Sequence, residues 1–494
     1  MLLLLALLGI PLATGFACRL APRRGLAEIA NVVGSGATLV LGLALVERAF
    51  RTGAAVALDG VLRVDALGAL LVALIVMVGF LAALYSVGYL RRDIAAGHVP
   101  SDQLGWYYLG YHGFIWTMLV TVTVDDLGLL WVAIEATTIV SALLVGFHRT
   151  PAALEAAWKY LILCSVGIAF ALFGVLLTYY ASLRALGEQA WLSWSLLSAE
   201  SASLDPSLMK LAFVFVLIGF GTKAGFAPLH TWLPDAHSQA PSPISALLSG
   251  VLLNCALYGI LRFHLIASGT LGPEFSQHLL LGFGLLSVAV ATPFLLVQRD
   301  LKRLLAYSSV EHIGLTAVAF GIGGPLGIYA GLLHLVNHAL AKTLLFFVAG
   351  DLVQRYGTRR IRAIRGAIQA APLAGWLLLG GAFAITGLPP SGIFVSELGI
   401  AGAGFAQGQA PLVIVLVILL TIVFAAIFSH VAAMAFGAST LRKPAAAHAP
   451  SRDPGRVIAL ALPAFGVLLL GIYVPPPISA ALEQAASLVS RGTP

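Results

Sequence analysis

Long apolar runs, separated by short polar stretches, recur along almost the whole chain. Most runs are about 20 residues long, the length that one helix needs to cross the apolar core of a bilayer. Strands of a membrane barrel would be about 10 residues long and would alternate polar and apolar positions. The pattern therefore predicts an all-α polytopic membrane protein with about 14 transmembrane helices. In chain order, spans 1–14 are predicted at residues 2–18, 26–46, 65–90, 107–123, 127–147, 158–181, 208–226, 242–266, 277–297, 302–323, 325–349, 372–400, 411–436 and 456–476.

Composition agrees with this class, because 60% of the 494 residues are hydrophobic and only 10% are charged. A soluble protein carries about 25% charged residues. Span 1 lacks the preceding positive charges of a signal peptide, so we interpret it as the first membrane helix. The three cysteines show no metal-ligand spacing, and no glycine-rich phosphate loop follows a strand. We therefore expect no cofactor, no metal and no nucleic acid on this chain.

Lys and Arg concentrate in the loops that follow odd-numbered spans. Loops rich in Lys and Arg stay on the cytoplasmic side of a membrane. Both termini are therefore predicted on the periplasmic side. The basic sequence "RYGTRRIRAIR" at residues 355–365 contributes most to this prediction. Two interpretations of it remain open: contact with anionic membrane lipids, or docking of a cytoplasmic partner subunit.

Several titratable residues fall within spans rather than in loops. A charge at the centre of a bilayer costs at least about 2.5 kcal/mol, so such residues face protein or water and commonly mark an ion path. Any one of them could instead be a snorkelling or buried side chain, an alternative that is strongest for Lys159 near the start of span 6. For the whole set, a proton relay is the preferred hypothesis. The set comprises Glu135, Lys159, Lys223, Glu311, His312, His334, His338, Lys342, Glu397 and His430.

Span 11 carries His334, His338 and Lys342 at positions i, i+4 and i+8. This spacing places the three side chains along one stripe of a helix. Histidine titrates near neutral pH, which suits a proton relay. A zinc site at the two histidines is the competing interpretation, and the lack of a Cys or carboxylate on the same face disfavours it.

Polar positions and helix breaks recur at a separation of about 175 residues. Glu135 is followed by Glu311, and Lys223 by Glu397, at nearly this spacing. Paired segments interrupted by Gly and Pro indicate a transporter core built from inverted repeats. We therefore predict two inverted five-helix repeats, spans 4–8 and 9–13, with spans 7 and 12 broken. The break residues are Gly225, Pro228, Gly387, Pro389 and Pro390.

The repeats divide the chain into four parts. Residues 1–100 contain spans 1–3, residues 107–266 form the first repeat, residues 277–436 form the second, and residues 437–494 hold span 14 and the tail.

Three longer motifs resemble a known family. They are "TKAGFAPLHTWLPDAHSQAPSPISALLSGVLLNCALYGILRF", "LLWVAIEATTIVSALLVGF" and "GLPPSGIFVSE". They are similar to the antiporter-like subunits shared by respiratory complex I, Mrp-type sodium/proton antiporters and group 4 hydrogenases. The resemblance covers almost the whole chain and places Glu135, Lys223 and Glu397 on ionisable positions of the family. Within it, "AYSSVEHIG" most resembles component F of hydrogenase-4, of the formate hydrogenlyase type. Related complex I subunits often have a lysine where this chain has Asn254.

The resemblance implies a proton-translocating subunit of a redox-driven complex in the bacterial cytoplasmic membrane. This chain would hold no catalytic centre. Iron–sulfur clusters and a nickel–iron centre would lie on cytoplasmic hydrogenase-like partner subunits, and further integral membrane subunits would complete the complex. Lys223 would be the central proton carrier and Glu135 its ion-pair partner. His334, His338 and Lys342 would connect the two halves, and Glu311 and Glu397 would serve the second half-channel.

Other functions remain open. The same motifs fit a subunit of a complex I-type NADH:quinone oxidoreductase, a subunit of a sodium/proton antiporter, or a membrane partner of a proton-driven inorganic-carbon uptake complex. A purely structural scaffold would keep the helices without needing the charges.

Overall fold

The computed structural model describes residues 1–187, 192–438 and 453–490, and these are almost entirely helical. The helices of the first part are α1 (Leu2–Leu20), α2 (Arg24–Thr52), α3 (Ala66–Ala95), α4 (Leu104–Thr123), α5 (Leu127–Val145), α6 (Pro151–Leu186), α7 (Trp194–Ala199), α8 (Pro206–Ala224), α9 (Trp232–Gln239), α10 (Ser242–Leu247) and α11 (Leu253–Leu271). Those of the second part are α12 (Glu274–Leu296), α13 (Leu301–Ile322), α14 (Gly324–Tyr356), α15 (Ala367–Ala370), α16 (Pro372–Ile385), α17 (Gly392–Ala406), α18 (Ala410–Ala435), α19 (Pro454–Ile472) and α20 (Pro476–Ser490).

Twelve helices among these residues are long and apolar enough to cross a membrane, so a multi-pass membrane protein is confirmed. One of the twelve is continuous from Ser242 to Leu271 and joins α10 to α11 through a π-helical turn at Leu248–Leu252. Predicted span 4 corresponds to α4, which is not one of the twelve. Span 12 corresponds to the two short helices α16 and α17. The count of 14 and the inverted relation between the repeats therefore remain predictions.

A small β-hairpin departs from the predicted all-α content. Strands β1 (Ala55–Ala57) and β2 (Leu62–Val64) pair antiparallel just before α3. Short 3₁₀ turns occur at Leu58–Gly60, Ser101–Gln103, Ser201–Ser203 and Ile361–Ala363. The predicted fourth part of the chain contains α19 and an additional terminal helix, α20, while residues 439–452 and 491–494 of that part lie outside the described residues.

Burial separates central helices from peripheral ones. The most apolar stretches of Ser242–Leu271 and of α14 are completely buried, whereas those of α2, α18 and α19 are mostly exposed. Apolar side chains exposed on the peripheral helices would face lipid tails. Polar residues on the central helices cannot reach lipid, so they must be satisfied by protein or water.

A buried ion pair ties α3 to α11. The Asp65 carboxylate caps α3 by accepting from the Gly68 amide (2.9 Å), and both of its oxygens accept from Arg262 (2.6 and 2.7 Å). The Arg262 guanidinium also lies 3.6 Å from the centre of the Trp194 ring. Arg262 is a buried residue of α11, held by charge pairing and aromatic stacking.

Candidate functional site

The first helix break lies between α8 and α9, as predicted for span 7. Gly225 ends α8 in the left-handed conformation (φ 87°), which a glycine adopts without steric cost. Its amide bonds back to the carbonyls of Gly221 and Thr222, and the Trp232 indole also donates to the Thr222 carbonyl (2.9 Å). Pro228 lies within the break. The exposed backbone of the break is thus satisfied by protein, as membrane depth requires.

Lys223 occupies the last turn of α8, just before this break, and its side chain is fully buried. Its ammonium donates to the hydroxyls of Thr138 (2.7 Å) and Tyr160 (2.6 Å), and it lies 4.7 Å from the Tyr160 ring centre. Such hydrogen bonds and ring contacts compensate part of the hydration that a buried lysine loses. The two hydroxyls come from α5 and α6, so Lys223 joins three helices.

Glu135 is linked to Lys223 through a hydroxyl rather than by direct contact. The Thr138 hydroxyl donates to Glu135 Oε2 (3.2 Å) while accepting from Lys223, and Ser165 donates to Glu135 Oε1 (2.6 Å). The carboxylate, the hydroxyl and the ammonium therefore form one hydrogen-bonded chain. We call Glu135, Thr138, Tyr160, Ser165 and Lys223 the lysine cluster.

The second break lies between α16 and α17, as predicted for span 12. Gly387 is left-handed (φ 69°), Pro389 and Pro390 follow it, and the Ser391 hydroxyl caps α17 by accepting from its third amide (3.2 Å). Glu397, on the second turn of α17, packs so closely against Gly387 that a Cβ atom there would collide with its carboxylate. The absence of a side chain at residue 387 therefore fixes where the carboxylate of Glu397 lies.

His312 is the centre of a second polar group on α13. Its Nδ1 lies 3.0 Å from His334 Nε2, and its Nε2 lies 2.9 Å from the Ile385 carbonyl and 3.3 Å from Glu311 Oε2. His334 Nδ1 lies 3.0 Å from the Ser396 hydroxyl on α17. Side-chain ligand atoms of Glu311, His312 and Glu397 all lie within 4.8 Å of one another. We call Glu311, His312, His334, Ser396 and Glu397 the histidine cluster.

The proton positions in this cluster follow from its ends. Ser396 donates its one hydroxyl proton to the Ile393 carbonyl (2.9 Å), so it accepts from His334 Nδ1. A neutral His334 then accepts at Nε2 from His312 Nδ1. The Ile385 carbonyl can only accept, so its bond to His312 Nε2 (2.9 Å) requires a proton on that nitrogen as well. These contacts together place a proton on both nitrogens of His312, beside the Glu311 carboxylate, with the assignment resting on the bonding pattern.

The remaining predicted residues lie between or outside the two clusters. Lys342 donates to the Leu305 carbonyl (2.7 Å) and to the Ser308 hydroxyl, and is fully buried. His338 is also buried, its ring centre is 5.3 Å from that of His312, and neither of its nitrogens is bonded within the described part of the chain. Lys159 lies apart from both clusters: it is half-exposed and pairs with Glu155 (2.5 Å) and Asp235 (3.5 Å).

His430 and Asn254 bond to backbone carbonyls outside the two clusters. His430 is half-buried and its Nε2 lies 3.1 Å from the Leu295 carbonyl, away from both clusters. Asn254 is buried just after the π-helical turn and donates to the Gly250 carbonyl within that turn (2.8 Å).

His237 was missed in the sequence. The predicted spans leave residues 227–241 outside the membrane helices, whereas α9 is a buried helix packed between α6 and α13. His237 is completely buried, with both nitrogens unbonded to the described residues. Its ring lies between Trp232 (6.3 Å), which stacks on Tyr160, and Phe346 (5.6 Å), one turn from Lys342. In the sequence, only its position within the family-like motif that begins "TKAGFAPLHTWLPDAHSQ" could have drawn attention to His237.

Known proteins match this chain over most of its length. Residues 124–425 match the family model "NADH:quinone oxidoreductase/Mrp antiporter, TM", and residues 52–96 match "NADH-Ubiquinone oxidoreductase (complex I), chain 5 N-terminus". A hydrogenase-4 component F homolog from Methylacidiphilum infernorum (isolate V4) is 41% identical over 84% of this chain and 85% of its own length. The NADH-quinone oxidoreductase subunit N of Desulforudis audaxviator (strain MP104C) is 30% identical over 85% of this chain and 84% of its own.

Solved structures share the fold. A chain of the membrane-bound sulfane sulfur reductase, an archaeal respiratory membrane complex, superposes with a TM-score of 0.87 at 24% identity and covers 100% of this chain and 98% of its own. A chain of the Mrp complex from Dietzia sp. DQ12-45-1b gives a TM-score of 0.83 at 21% identity, covering 99% and 97%. At such identities the likeness establishes the fold alone.

Proposed function

Because this chain belongs to the family of NADH:quinone oxidoreductase and Mrp antiporter membrane subunits, we propose that it translocates protons as a membrane subunit of a redox-driven, hydrogenase-4-like complex. The hydrogenase-4 assignment rests on the relative of 41% identity that matches over most of both chains. In this proposal the chain lies in the bacterial cytoplasmic membrane, among membrane lipids, with both termini on the periplasmic side. Other integral membrane subunits surround it, and cytoplasmic subunits carry the iron–sulfur clusters and the nickel–iron centre.

The main structural support for proton translocation is the lysine cluster. Lys223 is a fully buried lysine at a helix break, held by two hydroxyls, one of which also bonds to Glu135. A scaffold has no need for a buried lysine, because replacing buried charges by apolar groups of similar size is often neutral or stabilising. An ammonium beside exchangeable hydroxyls can instead pass a proton on when a neighbouring charge changes.

The histidine cluster supports a second transfer station. Its hydrogen-bond pattern accommodates one exchangeable proton at His312 Nε2, facing Glu311, and Glu397 adjoins it. Lys342 and His338 are buried on α14 and His237 is buried on α9, and neither histidine ring is bonded to the described residues. Buried polar atoms are normally hydrogen-bonded, so we propose that water bridges them when protons pass. In this proposal Lys159 acts at the exposed end of α6 rather than in the buried relay.

Replacing Lys223 tests the proposal. Lys223→Ala and Lys223→Arg are both expected to abolish proton uptake by proteoliposomes that contain the purified complex, even though Arg keeps the charge. Arginine does not release its proton in proteins, so it can replace a fixed charge but not a proton carrier. Lys210→Ala is the matched control on the same helix, because Lys210 lies exposed at the start of α8. Normal transport by Lys223→Arg would contradict the role of Lys223 as a proton carrier. Normal transport by Lys223→Ala would indicate that this chain is a structural scaffold.

Identification of the copurifying subunits tests the choice of complex. Hydrogenase-like iron–sulfur subunits are expected to copurify with this chain. The main alternative is a complex I-type NADH:quinone oxidoreductase, which is favoured by the relative of 30% identity named for that complex. Copurification of NADH-oxidising subunits would select this alternative. Copurification of Mrp-type antiporter subunits would indicate a sodium/proton antiporter. Copurification of inorganic-carbon uptake subunits would indicate a proton-driven uptake complex.

A further inference from the structure

We propose that Glu311, His312 and Glu397 form a binding site for a divalent transition-metal cation, with Zn²⁺ as the type ion, at which the metal competes with the exchangeable proton. The three residues come from α13 and α17 and are distant in sequence, so residue spacing does not reveal the site. The zinc interpretation raised from sequence concerned His334 and His338 instead. Metal binding can be measured without turnover, so the inference does not depend on the proposed function.

The ligand atoms are close enough for one ion. All three side chains offer a ligand atom within 4.8 Å of the others. Zinc binds nitrogen and oxygen ligands at about 2.0–2.2 Å, so two ligand atoms of a tetrahedral site are about 3.3–3.6 Å apart. Side-chain movements of about 1 Å would close the site. A water molecule would complete the tetrahedral geometry that zinc prefers.

The electronic arrangement also favours a cation. His312 Nε2 donates its proton to the Ile385 carbonyl (2.9 Å) and lies 3.3 Å from Glu311 Oε2, so a metal ion that replaces this proton would meet oxygen acceptors. Glu311 is 1% exposed, and neither of its carboxylate oxygens has a hydrogen-bond donor among the described residues. A buried carboxylate without a donor is strongly disfavoured unless a cation compensates it.

The surroundings of His312 match those of metal-binding histidines. A ligating histidine normally donates its other N–H to a fixed acceptor, which sets the tautomer. Here His312 Nδ1 meets His334 Nε2, His334 Nδ1 meets Ser396, and Ser396 donates to the Ile393 carbonyl. These hydrogen bonds hold the proton on His312 Nδ1, and His312 Nε2 bonds to the Ile385 carbonyl through its own proton. Metal binding would therefore displace the Nε2 proton and leave the other proton positions unchanged.

The choice of a divalent ion follows from charge and ligand type. Two glutamates balance one divalent cation, which gives a neutral site in a buried position, whereas Na⁺ would leave a net negative charge there. An imidazole nitrogen suits zinc and its neighbours in the transition series, while sodium-like hard ions prefer oxygen ligands. A cavity of about 350 Å³ adjoins Glu397 and is lined by Thr386 and Gly387 among apolar side chains. It has room for about ten water molecules around an arriving ion.

Cobalt titration tests the site directly. The full chain, purified through a tag without histidines, is titrated with Co²⁺, whose visible absorption reports low-coordinate nitrogen and oxygen ligation, and is then back-titrated with Zn²⁺. We expect one Co²⁺ per chain, displaced by Zn²⁺ and not by a large excess of Na⁺. Glu311→Gln and Glu397→Gln should each weaken Zn²⁺ binding by at least about tenfold, and His334→Asn by about tenfold to a hundredfold through loss of the outer hydrogen bond.

Matched controls come from α12. Glu274→Gln and His278→Asn alter exposed residues of the same types and should bind as the unmodified chain does. Zn²⁺ should raise the thermal unfolding midpoint of the unmodified chain and of these controls, and not that of the glutamate variants. A chain that binds no Co²⁺, a site emptied by Na⁺, or unchanged binding in both glutamate variants would each overturn the inference. The two glutamate variants are independent, so misfolding of one leaves the other to decide.

Discussion

Thr138→Val removes the one atom that joins Lys223 to Glu135 while preserving the shape of the side chain. The hydroxyl accepts from Lys223 at 2.7 Å and donates to Glu135 at 3.2 Å. If the lysine cluster works as a relay, this single hydroxyl carries the connection. We expect the variant to fold normally and to transport protons much more slowly.

The magnitude follows from the hydrogen bonds of the ammonium. Lys223 has two hydroxyl partners, and Tyr160 remains in the variant. A hydrogen bond to a charged group contributes about 1.5–3 kcal/mol. At about 1.4 kcal/mol per factor of ten, its loss lowers the ratio of charged to neutral Lys223 by about tenfold to a hundredfold. A transport rate limited by protonation of this lysine should fall by a similar factor.

Proton uptake into proteoliposomes containing the purified complex, followed with a pH-sensitive dye, measures the effect. Thr137→Val is the matched control. Among the described residues the Thr137 hydroxyl bonds only to the Ile134 carbonyl of its own helix (2.6 Å), so its loss should leave transport unchanged. Thr138→Ser should restore most of the rate because it keeps the hydroxyl. In a double-mutant cycle, Glu135→Gln should add little to Thr138→Val. A Thr138→Val rate within twofold of the unmodified rate, or equal loss in Thr137→Val, would refute the hydroxyl link.

Two structural variants test the frame that holds the clusters. Gly387→Ala should lower both the thermal unfolding midpoint and proton transport. The added Cβ collides with Glu397, and a left-handed alanine costs about 1–2 kcal/mol. Gly380→Ala is the control, because its Cβ meets no atom within 4 Å, and it should change neither quantity. Arg262→Met should lower the free energy of unfolding by about 3–5 kcal/mol in chemical denaturation, because it leaves Asp65 buried and unpaired. The double variant with Asp65→Leu should recover much of that loss, and no recovery would contradict the ion-pair explanation.

Most of the fold was predictable because a bilayer imposes a strong and simple pattern. Run length located nearly every helix, and paired Gly/Pro interruptions located both breaks, which the structure places at Gly225 and Gly387. The β-hairpin and α9 were not predicted, since both are short and lie outside long apolar runs. The buried pairing of Arg262 was not predicted, because its partner Asp65 is far away in sequence and only that partner makes burial of an arginine tolerable.

The site was predicted as a set of residues, and less well as a geometry. Intramembrane charges are rare enough that a census of Lys, Glu and His identified Lys223, Glu311 and Glu397. The intervening hydroxyls of Thr138 and Tyr160 were not identified, because threonine and tyrosine are ordinary residues of membrane helices and their role depends on helix packing. Sequence spacing shows which side chains share a face of one helix. The histidine cluster combines side chains from three helices, so spacing could not predict it.

The separation of the two clusters bears on how a proton in one can affect the other. No hydrogen bond among the described residues joins them, so a continuous proton wire of side chains is not built into this arrangement. Two unit charges about 10 Å apart still interact by about 1.7 kcal/mol at an effective dielectric constant of about 20. Such an interaction changes a protonation equilibrium by more than tenfold. A charge at Lys342, which bonds to Leu305 and Ser308 on α13, can therefore bias the histidine cluster on the same helix without direct contact. In this arrangement His237 and His338 would need contact with water only while a proton passes. A buried position without a fixed hydrogen-bond partner among the described residues is compatible with such a role.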